Sequence, residues 1–178
     1  YLLLQAEEEL AGLPAFVRDA ARTAAQERGI AQGWIITLSR SLIVPFLSFS
    51  SRRDLREKAF VAWTQRGQTP GEHDNRPIIK KILLLRNEQA KLHGYACYAD
   101  YALVDTMAGT QSAVKDLLLK VWEPAKIRAK QEYEALSAQA VSCGQAAPIA
   151  PWDWRYYAEQ IRQARYALDD AAIKPYFA

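Results

Sequence analysis

The sequence predicts a mostly α fold, an orthogonal multi-helix bundle with at most one or two short strands near residues 34–38. Three observations carry this. Apolar residues recur at spacings of three and four in block after block, which is the pattern of amphipathic helices. One stretch only, Trp34-Ile35-Ile36-Thr37-Leu38, is β-branched and aromatic in the manner of a strand. Glycine and proline are sparse, and they divide the chain into helical blocks. The 178 residues suit one helical domain spanning 1–178, and 50% hydrophobic with 24% charged residues excludes disordered and fibrous classes.

Leu13-Pro14 opens the first helix, with Val17, Ala20, Ala21, Ala24 and Ala25 on one face and Arg28-Gly29 as its stop. The strand at 34–38 follows. No second strand of equal quality is present, so pairing with a segment outside this chain stays open. Pro45 argues against a central strand between Ser41 and Phe49, and a short helix starting at Ser41 is expected there. Ser51 is read as the cap of a charged helix from Arg52 to Arg66, with Leu55, Ala59, Phe60, Ala62 and Trp63 as its apolar stripe. After the polar loop 67–75, Asp74 or Asn75 before Pro77 starts the next helix. Ile78, Ile82, Leu85, Gln89 and Leu92 line one face of it. Ile79, Leu83 and Ala90 widen that face, so burial on most sides is expected.

Gly94 ends this helix, and Tyr95 to Met107 reads as a short aromatic-rich one. Thr110 caps a long helix carrying Val114, Leu117, Leu118, Val121, Trp122 and Leu136, with a kink expected near Lys120 to Pro124. Cys143-Gly144 ends it. Asp153 is expected to cap a last helix through Leu168, with Tyr156, Tyr157, Ile161 and Ala164 on it, and Pro175 closes the chain.

Charge and composition narrow the chemistry. Twenty-three Lys and Arg against 20 Asp and Glu leave a net charge of +3, too mild and too evenly spread for a nucleic-acid surface. No run reaches the roughly 20 apolar residues of a membrane span, and Tyr1-Leu2-Leu3-Leu4 is too short for a signal-peptide core. A cytoplasmic location is expected. Cys97 and Cys143 form no disulfide framework and favour a reduced compartment. A start at Tyr1 rather than Met hints at a trimmed product or an excised fragment.

Two histidines, His73 and His93, are all the imidazole available for metal or proton-transfer chemistry. Glu72-His73-Asp74 sits in a loop, where adjacent residues seldom converge on one ion, and it reads as a solvated turn. His93, at a helix end, reads as a partner of the C-terminal dipole. No His-Glu-x-x-His, Gly-x-Ser-x-Gly or phosphate-cradling glycine loop occurs. Both thiols read as buried and structural. Arg52, Arg53 and Arg56 interleave with Asp54 and Glu57, which reads as a solvated, salt-bridged helix face. The residues thus assign no catalytic, cofactor-binding or metal-ligating position in this chain.

Taken as ordered segments, the chain resembles the thimet-type zinc oligopeptidases, the family of peptidyl-dipeptidase, oligopeptidase A and neurolysin. The resemblance runs through Glu9 to Pro14, Gly33 to Leu38, Pro45-Phe46-Leu47, Arg53 to Lys58 and Ala62 to Arg66. It continues through Asp74 to Ile79, Leu85 to Tyr95 and the most specific block, Pro151 to Gln160, then Tyr166 to Asp169 and Lys174 to Phe177. His93 stands where the family usually has Leu. The resemblance implies a neurolysin-like helical scaffold and a parent hydrolase that cleaves short peptides with a zinc-activated water. It also implies that the zinc-binding His-Glu-x-x-His lies beyond Ala178, so no family ligand or catalytic residue falls on a position here. The chain would be part of the wall of the substrate channel, inactive by itself, with zinc only in the complete protein.

The implied partners are the missing catalytic lobe of the same polypeptide and, for the parent, short peptides. Apolar faces left bare would make a homodimer or an adhesive monomer through the Trp34 to Phe49 or the Trp152 to Tyr157 region. Neither nucleic acid nor membrane is an expected partner. The alternative is a stand-alone helical module that binds peptides or proteins.

Overall fold

The computed structural model describes residues 1–145 and 148–166. Its elements are helical apart from two three-residue strands, which makes the fold mostly α. The chain divides into two compact units. Unit 1 is residues 1–65 and 133–178, and unit 2 is residues 66–132.

Unit 1 opens with β1 (Leu2–Leu4), which pairs antiparallel with β2 (Trp34–Ile36) in the register Leu2 opposite Ile36, Leu3 opposite Ile35 and Leu4 opposite Trp34. The partner of the predicted strand therefore lies inside the chain, in the leucines at its start. Leu4 alternates inward and is fully buried, as are Ile35 and Ile36. Gly33 makes the approach to β2 feasible. Its φ is +103°, and a Cβ there would lie 2.6 Å from the Leu4 carbonyl oxygen.

Against this ribbon pack α1 (Ala15–Gln26) and α2 (Arg40–Phe49), and α3 (Arg53–Thr64) packs against α2. Val17, Ala21, Ala24 and Ala25 bury the predicted face of α1, while Ala20 is exposed. In α2, Leu42, Ile43, Phe46 and Leu47 are buried, and the helix continues through Pro45. Within the Trp34 to Phe49 segment, Ile35, Ile36, Leu42, Ile43, Phe46 and Leu47 lie in the core of this unit. Ser51 does not cap α3. The flanking residue is Arg52, whose N–H donates to the Ser50 hydroxyl oxygen at 3.3 Å, and the Ser51 N–H donates to the Ala11 carbonyl at 2.9 Å. In the α3 stripe Leu55 and Ala59 are buried, Phe60 and Trp63 are half-buried, and Ala62 is exposed.

A second, smaller core joins the end of α6 (Gln111–Ser142) to α7 (Trp154–Tyr166), through Leu136, Ala140, Ile149 and Tyr157. Tyr156 and Ile161 of α7 are half-buried and Ala164 is exposed. The predicted end of this helix at Leu168 and the segments Ala167 to Asp169 and Lys174 to Phe177 lie outside the described residues.

Unit 2 holds α4 (Arg76–Leu92), α5 (Tyr98–Leu103) and α6 as far as Glu132. Pro77 stands in the first turn of α4, as predicted. The expected burial of α4 is not found. Ile78, Ile79, Ile82, Leu83 and Leu85 are all exposed, and Ala90 is the buried residue of the helix. The periodicity identified an apolar face but not a cover for it. Within the unit α4 meets α5 near its end, where the Tyr95 N–H donates to the Ala90 carbonyl and the Tyr98 N–H to Asn87 Oδ1. The aromatic helix α5 is shorter than the predicted span from Tyr95 to Met107. The Ala113 N–H donates to Thr110 Oγ1 at 3.2 Å, so Thr110 caps α6 as expected, and α6 is helical on both sides of Pro124.

Candidate functional site

The most concentrated group of charges is built at the start of α3. Spacing puts Arg53 and Arg56 one turn apart on the same side of that helix. Both reach Asp153, which lies about a hundred residues later in the short 3₁₀ turn (Pro151–Asp153) that leads into α7. Arg53 Nε and Nη2 donate to the carboxylate at 3.0 to 3.1 Å, and Arg56 Nη2 donates to Oδ1 at 2.8 Å. The Ala150 N–H adds a fourth donor at 3.0 Å. Arg56 is spent further on the Ser50 carbonyl at 2.7 Å and the Trp152 carbonyl at 3.3 Å, and its guanidinium lies 4.0 Å from the Tyr156 ring centroid.

Asp153 is fully buried and Arg56 is 1% exposed. The solvated basic face read from sequence is therefore only half right. Arg52 pairs with Asp54 at the surface, but Arg53 and Arg56 turn inward to a carboxylate that the linear sequence places far away. Asp153, read as a helix cap, is instead the shared acceptor of these two cations. Burial opposes its charge, but the Arg53 pair, the Ala150 N–H and Arg56 outweigh burial and hold its carboxyl below the usual carboxylate range. The same hydrogen bond raises Arg53 above its ordinary value. With two cations and a backbone donor satisfied, the group has the chemistry of a clasp: it ties α3 to the turn before α7.

The sequence-flagged imidazoles and thiols do not converge. His73 is exposed in the loop, and its neighbour Asp74 is committed to Arg76 at 2.7 Å, which lowers the Asp74 pKa to about 2. His93 flanks the end of α4 and stacks on Tyr101 at 4.9 Å. Cys97 is half-buried and its thiol donates to Asp100 at 3.4 Å. Gln111 also donates to Asp100, at 2.6 Å, and together these contacts lower that carboxyl. Cys143, expected to be buried, is exposed, because it falls where α6 ends. A zinc ion takes three or four nitrogen, sulfur or carboxylate ligands in one shell. Among the described residues no group of three His, Cys, Asp or Glu side chains that could hold a metal ion comes together. Likewise, no helix of the described residues is long and apolar enough to cross a membrane.

Residues 46–178 match the sequence profile of peptidase family M3, and the chain belongs to that family. It is 36% identical to the dipeptidyl carboxypeptidase of Salmonella typhimurium, over 95% of this chain and 25% of that protein. It is 34% identical to the oligopeptidase A of Haemophilus influenzae, over 98% of this chain and 26% of that protein. The probable cytosolic oligopeptidase A of Arabidopsis thaliana is 32% identical, over 98% of this chain and 26% of its own length. The chain thus spans about a quarter of the length of the curated relatives it matches.

Sequence reasoning missed the Asp153 clasp and the β1 strand. The clasp had a signal, an acidic residue enclosed as Pro-Trp-Asp-Trp, since a carboxylate among tryptophans is costly unless cations meet it.

Proposed function

We propose that this chain is the helical, non-catalytic part of a zinc-dependent metallo-oligopeptidase that hydrolyses short peptides. In this reading it walls the channel that admits the substrate. The family match across residues 46–178 carries the proposal. It is supported by relatives named dipeptidyl carboxypeptidase and oligopeptidase A, of which the chain spans a quarter. The metal ligands and the groups that act on the peptide bond belong, in this reading, to the remaining length of the protein. When bound, zinc would supply Lewis-acid activation of water. The role of the described residues is to hold shape: the Asp153 clasp fixes α3 against the turn before α7, and the core of β1, β2, α1 and α2 fixes the ribbon. The reading places the protein in the cytoplasm, in keeping with the name of the Arabidopsis relative.

The test is hydrolysis of a series of short peptides by the complete protein. The expected result is cleavage that a chelator abolishes and added zinc restores. Cleavage unaffected by chelation, or no cleavage of any peptide in the series by a folded, zinc-loaded protein, overturns the reading.

A further inference from the structure

No further inference is drawn: the strongest candidate, the side-chain cluster at the start of α5 in unit 2, where the half-buried Cys97 thiol donates to Asp100 at 3.4 Å and accepts from Gln111 at 3.2 Å, rests on a lone cysteine whose side-chain hydrogen bonds stay within the cluster, and nothing in the structure shows a ligand for it.

Discussion

Asp153 is the residue on which the most structure depends. Its carboxylate is buried and receives Arg53, Arg56 and the Ala150 N–H. Removing one partner of a buried ion pair leaves the others desolvated and unpaired, so Asp153→Ala is expected to lower the unfolding free energy by about 3–5 kcal/mol. Arg53→Ala, whose side chain is 37% exposed, should cost much less, because water can take over its role. Denaturant unfolding of both variants checks the order. The same residue gives a pH dependence. A carboxyl held below its unfolded value contributes stability that is present above that value, about 3.9, and is lost as pH falls through the folded pKa. Unit 1 should therefore lose stability below about pH 4, and Asp153→Asn should flatten that loss. A variant as acid-sensitive as the parent protein would show that other carboxylates set the slope. The contrast between Arg52 and Arg56 marks what sequence could not resolve at this scale. Both sit in one charged run, and nothing local distinguishes the one that pairs with Asp54 from the one that meets a carboxylate across the fold.

Elements were legible where the signal is local. Pro14 before α1, Pro77 in the first turn of α4 and Thr110 before α6 each mark a helix start by backbone chemistry alone, and each start is where that chemistry puts it. Elements that exist through pairing were not. Leu2-Leu3-Leu4 has no alternation and little strand character, and it is a strand because Trp34 to Ile36 supplies its hydrogen bonds and Gly33 lets the chains approach. Gly33→Ala should accordingly cost more than about 1 kcal/mol, since its positive φ is strained for alanine and the added Cβ would crowd the Leu4 carbonyl at 2.6 Å. Thermal unfolding of this variant, compared with Gly71→Ala in an open loop with equally positive φ, separates the steric part from the conformational part. If the two shifts match, close approach at β2 contributes nothing.

The whole molecule explains why one helix face could be found in the sequence and its neighbours could not. Hydrophobic periodicity reports that α4 has an apolar side. It does not report what, if anything, covers that side. Unit 1, by contrast, closes its core with its own elements, so its burial pattern followed from spacing: Val17, Ala21 and Ala25 in α1, and Leu55 and Ala59 in α3. The proposed role is that of a helical, non-catalytic part of a peptidase. The most direct test is to incubate the purified 178-residue chain, with zinc supplied, with the short peptides that the complete protein cleaves. No hydrolysis above a buffer control is the expected result, and chelator-sensitive cleavage that copurifies with the chain would contradict it.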